Sequence, residues 1–346
     1  MIIDVCMGWL PENFFKDEPL VNTFIRSIPR AYGEDVKLTP VPGREMKQIV
    51  ISKPKGYENL NVSEMITDSK GHLAVMDEAK VDKAVLRVAC WQEWLDLETC
   101  QRINNEMAKS VGKHPDRFLG LATVPPWGDK ECDYELDRCI KELGLHGVVC
   151  AAHYGTLYLD AEEFKPYFKK LNELGVPVCI HHTPLPVAYG SIYEYANLRR
   201  YYGRCIDQMT CICRVLFSGL LDKFPNLRLI HTLLGGGFFA YTSNLVPRKS
   251  EVKEEVDRFD MVADKIKGYL DRNIYFDMSP TSWTAAQIKC AIEELGADHI
   301  LFGGHYPVRR EWLLKGPEYL RSLDIGEKAK RLILGENAMR LFKIKA

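Results

Sequence analysis

The sequence predicts an α/β protein, a closed (β/α)8 TIM barrel with a lid-like insertion after its first strand, from three observations. Eight short apolar runs recur along the chain, most of them separated by an amphipathic helical stretch. The runs are apolar on both faces, as parallel strands covered by helices must be. Residues able to do chemistry gather where the runs end, which is where a barrel places its active groups.

Taken in order, strand 1 spans residues 1–5 and is interrupted by Asp4. Residues 9–61 are rich in proline, glycine and aromatics without a sustained period, and read as a lid or an oligomer contact. A helix over 63–80 leads to strand 2 at 81–88. Helices 98–113, 130–143 and 161–174 then precede strands 3 (118–124), 4 (147–153) and 5 (176–181). A proline- and tyrosine-rich loop, 184–202, leads to helix 206–223 and strand 6 at 227–233. A helix starting within 235–245, a charged stretch at 248–259 and helix 261–270 precede strand 7 at 273–279. Helix 284–295 precedes strand 8 at 299–307, and helices 312–323 and 326–341 close the chain. An open doubly wound sheet would want a glycine-rich phosphate loop after strand 1, and Cys6-Met7-Gly8-Trp9-Leu10 is not one. With no linker and no second core, residues 1–346 read as a single barrel domain carrying the 9–61 insertion.

Composition narrows the function classes. The chain is 46% hydrophobic and 27% charged, with a net charge of -1 and both signs interleaved. That gives no electrostatic reason to expect a nucleic acid or an anionic membrane as partner. No basic, apolar leader pattern stands at the start, and no uninterrupted apolar run reaches the ~18 residues of a membrane span. The eleven cysteines are odd in number and scattered, which suits free thiols in the cytoplasm.

Of nine histidines, His153, His181, His231 and His305 fall at predicted strand ends, with His182 beside one of them. Adjacent strand residues face opposite ways, so His181, sharing a face with Cys179, is expected in the barrel mouth while His182 caps a loop. His231 precedes Gly235-Gly236-Gly237, whose amides are expected to open a helix and let a substrate or anion approach. Asp277 would orient a histidine or satisfy barrel amides. Arg44, in the lid, would clamp a substrate carboxylate by a bidentate pair, against the commoner fate of a surface arginine. His153 and Trp9 are further candidates for substrate contact. His72, His114, His146 and His299 read as structural.

These residues resemble the amidohydrolase-related family, the branch containing aminocarboxymuconate-semialdehyde and γ-resorcylate decarboxylases with their hydrolase and hydratase cousins. The resemblance runs through Ile3-Asp4-Val5, Gly175–His181, Phe224-Pro225-Asn226-Leu227 with His231 and the glycines, Asn273–Asp277, Leu301–Pro307 and Gly335–Phe342. It implies a (β/α)8 barrel, often dimeric, holding one divalent metal, usually zinc. The family's ligands are an H-x-H pair after the strand 1 aspartate, a strand 5 histidine and a strand 8 aspartate, with a strand 6 histidine as acid/base. Here the pair falls on Cys6 and Gly8, and the strand 8 aspartate on His305; His181 is retained, and His231 takes the acid/base position.

Two chemistries follow. A rebuilt site would hold zinc or another divalent metal on Cys6, His181 and His305. A metal-free site would use His181, His231 and His305 as acid and base. The expected function is carbon–carbon lyase chemistry, decarboxylation above all, on a small carboxylated or cyclic carbonyl substrate. Hydrolysis of a C–C, lactone or amide bond is the alternative, and a binding-only barrel the reading from a different class. A homodimer is the expected assembly.

Overall fold

The structure, a computed structural model, describes residues 1–52, 58–88, 90–187, 189–192, 194–195, 197–246, 263–279 and 283–345. The charged stretch at 248–259 lies outside the described residues. Strand β1 (Ile3–Trp9) opens the chain. The segment after it contains helix α1 (Glu18–Ser27) and an antiparallel sheet of β2 (Asp35–Pro40), β3 (Lys47–Ser52) and β4 (Glu58–Ser63). Helix α2 (Ser69–Glu78) leads to β5 (Lys83–Val88), α3 (Leu97–Lys113) to β6 (Phe118–Thr123), and α4 (Lys130–Asp137) to β7 (Gly147–Ala151). A small hairpin follows, β8 (His153–Tyr154) with β9 (Leu157–Tyr158). Helix α5 (Lys165–Leu174), β10 (Pro177–His181), α6 (Gly203–Phe217), β11 (Arg228–His231), β12 (Ile274–Asp277) and β13 (Ile300–Leu301) complete the barrel.

Eight strands form one sheet in the order β1-β5-β6-β7-β10-β11-β12-β13. Hydrogen bonds from Val5 N to Phe302 O (3.0 Å), His305 N to Cys6 O (2.9 Å) and Gly8 N to Tyr306 O (2.7 Å) close it between the last strand and the first. Period-two alternation separates two cores. Ile3, Val5, Val85, Leu121, Val149, Cys179, Ile230 and Leu301 fill the barrel, and Leu341 and Phe342 of the C-terminal segment close its floor. The opposite strand faces join the larger core beneath the helices.

Three expectations change. β1 runs on through Trp9, so Cys6 and Gly8 lie within it, and regular pairing at the end of the chain stops at Leu301. The helix expected at Gly235 is replaced by a left-handed run, with φ of 47° at Leu234, 65° at Gly235, 73° at Gly236 and 85° at Gly237. A Cβ on Gly236 would lie 1.8 Å from the Cys205 carbonyl oxygen of α6, so only glycine fits there. Among the described residues no helix is long and apolar enough to cross a membrane.

Candidate active site

One step up each strand from the apolar filling, the inward positions become polar. Two residues beyond Val85 stands Arg87, beyond Cys179 stands His181, and beyond Tyr275 stands Asp277, all on inner faces. On β1 the register with β5 shifts between Asp4 and Met7. The extra residue reverses the alternation after Val5, which turns Cys6 inward and sends Met7 and Trp9 into the outer core.

Arg87 is the feature the sequence reading missed. It is 1% exposed, and its Nε–H and Nη2–H both donate to Cys6 Sγ, at 3.3 and 3.1 Å, while Nη1–H donates to the Val88 carbonyl. Burial pushes the Cys6 thiol up, and the charge of Arg87 works against that shift. Among the described residues, the ligand atoms of Cys6, His181 and His305 lie within 4.8 Å of one another.

His305 has φ of 54°, a left-handed conformation that costs a non-glycine residue on the order of 1 kcal/mol. Both of its ring nitrogens are buried without a protein partner. Its ring stacks 5.8 Å from those of His181 and His182, which lie 3.9 Å from each other. The expectation that only His181 faces the mouth is therefore corrected. β10 ends at His181, so strand alternation no longer governs His182, and both rings meet His305. Gln92 Nε2 lies 3.2 Å from His181 Nδ1, Thr232 Oγ1 lies 3.4 Å from His182 Nδ1, and both Nε2 atoms are unpartnered. Burial first, then neighbouring positive charge, holds all three imidazoles well below their ordinary range. Those charges are Arg87 and Arg204, joined by Arg309 at His305, so the rings are neutral.

The glycine pair beside His305 makes room for two carboxyls. A Cβ on Gly303 would lie 2.4 Å from Asp277 Oδ1, and one on Gly304 would lie 2.7 Å from Asp4 Oδ2. Asp4 Oδ1 accepts from Cys6 N (2.9 Å) and Gly304 N (2.7 Å), tying β1 to the turn. Asp277 Oδ1 accepts from Ser279 N, while its Oδ2 has no partner. Burial raises Asp4 to about 6 and Asp277 to about 7, with Arg87 opposing in both cases.

Several expected site residues are not brought to this cluster. His231 follows inward-facing Ile230, so its ring points to α6, where Nδ1 meets Gln208 Oε1 at 3.1 Å. Its drop to about 3 has burial as its one cause, with no charge of the cluster acting on it. Arg44 lies exposed beyond β2, its Nη1 3.5 Å from Met65 Sδ, and clamps nothing in the mouth. Trp9 faces the outer core, its Nε1 unpartnered. Gly235 and Gly236 pack on α6 rather than opening an anion site. His153 sits on a neighbouring cleft of ≈ 540 Å³ with Glu93, Trp94 and Leu185. There its Nε2 engages Thr183 Oγ1 (2.8 Å) and Asp207 Oδ2 (3.1 Å). A charged residue at an inward phase of the apolar strand Ala84-Val85-Leu86-Arg87-Val88 was the signal available for Arg87.

The family's divalent metal can be tested on these donors. A metal-bound histidine almost always donates its other ring N–H to a carboxylate, carbonyl or water that fixes it. Among the described residues His305 has no protein partner at either nitrogen, and His181 Nδ1 meets the side-chain amide of Gln92 at 3.2 Å. The Cys6 sulfur already takes two N–H bonds from a full positive charge. Among the described residues no carboxylate joins the set. The residues present do not fit the metal.

Comparison with known proteins agrees with the architecture. A family model described as amidohydrolase matches residues 65–344. A γ-resorcylate decarboxylase from a Polaromonas species is 30% identical over 256 residues, 71% of this chain and 77% of that one. The 5-carboxyvanillate decarboxylase of Sphingomonas paucimobilis superposes with a TM-score of 0.78 at 24% identity, covering 99% of both chains. That of Novosphingobium aromaticivorans, solved with manganese and 4-hydroxy-3-methoxy-5-nitrobenzoic acid, gives 0.71 at 26% identity over 81% of this chain and 82% of that one. The chain belongs to the amidohydrolase family, as an enzyme of its decarboxylase-like, lyase-type branch.

Proposed function

We propose that the protein removes the carboxyl group of a small hydroxylated aromatic acid, without a metal. The observation that carries this reading is the layer of Arg87, His181, His182, His305 and Asp277. It combines a buried cation, neutral imidazoles with free nitrogens, and a carboxyl that burial keeps protonated up to about pH 7. The cationic side of the mouth, Arg87 with Arg204, receives the substrate carboxylate. A neutral imidazole of His182 or His305 accepts the proton of a ring hydroxyl, which pushes electron density onto the carbon bearing the carboxylate. Asp277 gives its proton to that carbon. The C–C bond then breaks and carbon dioxide leaves. The electron pair restores the ring and puts charge on the ring oxygen, which takes its proton back from the imidazolium, while Asp277 regains one from water. A carboxylic acid held neutral by an apolar site is suited to that step. The manganese of the Novosphingobium relative is not carried over, because manganese prefers oxygen donors and this set is sulfur and imidazole.

The wider reading is one barrel over 1–346, working in the cytoplasm as a homodimer. All eleven cysteines are free, which supports a reducing compartment. The insertion between β1 and α2, with its own sheet, supports a role as lid or dimer contact. The test is carbon dioxide release from a panel of hydroxy- and methoxybenzoates in the presence of a strong chelator. Release from a member bearing a hydroxyl ortho or para to the carboxylate is the expected result. Tight binding of such acids with no release from any of them would replace this reading with a binding-only barrel.

A further inference from the structure

We infer that Arg87 is the resident cation of this site: its guanidinium, forked onto Cys6, takes the place of the family's divalent metal and excludes one. Cys6 stands where the first histidine of the H-x-H pair would stand. The register shift in β1 turns its sulfur inward, and two N–H groups of Arg87 grip it. A guanidinium is always charged and presents parallel donors, so it can hold a sulfur and still face an incoming carboxylate. It cannot be displaced as water is. A divalent ion on Cys6, His181 and His305 would share its sulfur with Arg87 at close range and be repelled.

The substitutions inside the cluster agree with one another. Replacing the strand 8 aspartate by His305 removes a negative charge, and placing Gly8 at the other H-x-H position removes a donor. Both changes weaken a divalent-metal site, and Arg87 is the cation that remains in the cluster. The inference rests on the contacts of Cys6, His181 and His305 and on no substrate. A bound metal would refute it together with the metal-free part of the proposed function, while carbon dioxide release tests decarboxylation separately.

Cobalt(II) tests it, because a thiolate–cobalt bond announces itself by a charge-transfer absorption. The wild-type protein, reduced and titrated with cobalt(II), is expected to show no such band and no zinc-dependent rise in Tm. Arg87→Ala, and Arg87→Met as a variant closer in volume, are expected to acquire one cobalt on Cys6. Affinity should rise ~100-fold or more once the opposing charge is gone. The band should vanish again in the Arg87→Met/Cys6→Ser pair. A wild-type band equal to that of the variants overturns the inference. Folded variants that stay as metal-free as the wild type overturn the claim that Arg87 is what excludes the ion. Should neither variant fold, the wild-type titration still decides: a band in it refutes the proposal.

Discussion

Two arginines of the same barrel, Arg87 fully buried and Arg138 half-buried, have opposite surroundings. Arg138, beyond α4, holds Glu135 in a fork, with Nε and Nη2 at 2.7 and 2.9 Å from the two carboxylate oxygens, and reaches Asn105 through Nη1. Glu135 is 0% exposed, and Asn104 and Cys139 also donate to it. That charge is cancelled where it stands, and the network only binds α3, α4 and β6 together. Among the described residues Arg87 has no carboxylate at hydrogen-bond range. Asp4 and Asp277 feel its field, but it donates to a sulfur and a carbonyl. The imidazoles around it keep free nitrogens. A buried charge that is fully paired is part of the scaffold; one left half-paired beside unpartnered polar atoms is where a ligand completes the pairing.

Substitutions can break this contrast in order of size. Asp277→Asn should lower kcat by roughly 10²–10⁴, as loss of a general acid does, with the substrate carboxylate still bound. Glu135→Ala should do the reverse, costing about 3–5 kcal/mol in urea unfolding while kcat per folded molecule holds, because it strands Arg138. An equal loss of kcat in both variants would erase the distinction between the two arginines.

pH sharpens it further. Activity should fall as pH rises through about 7, where Asp277 loses its proton, and a flat profile from pH 6 to 8.5 would count against that carboxyl. The same group gives a stability signature. Its pKa is raised on folding from 3.8 to about 7, so the folded state binds the extra proton between those values and stability falls as pH rises through that window. Asp277→Asn should therefore unfold at higher urea than the wild type at pH 8 but not at pH 4, by at most about 4 kcal/mol. The smallest effects belong to residues outside the cluster. Arg44→Ala should leave KM unchanged, and His231→Asn should cost about 1 kcal/mol of stability through Gln208 with kcat within a few-fold. A large rise in KM for the first would return the carboxylate clamp to the lid.

The barrel was legible because its strands are apolar on both faces and alternate with helices, a pattern with few other folded solutions. His181 and His305 were legible as polar residues ending such strands, Cys6 as one just after the first apolar run, and Asp277 as a charge within the seventh. What failed did so for local reasons. His231 was one residue out of phase with Ile230, which decides between mouth and helix layer. Gly235-Gly236-Gly237 looked like a helix start, but close contact with α6 accounts for Gly235 and Gly236. His182 was discounted by an alternation rule that ends where the strand ends. Arg87 was passed over inside an apolar strand, although its phase placed it inward. The partner of a buried charge lies 81 residues away, on another strand, and only the folded register joins them.

The central claim is that an arginine, not a metal, supplies the positive charge of the mouth. Elemental analysis of wild-type protein purified with neither chelator nor added metal tests it most directly. The account predicts far less than one equivalent of any transition metal per chain. One equivalent of zinc or manganese, lost together with the Cys6→Ser substitution, would contradict it.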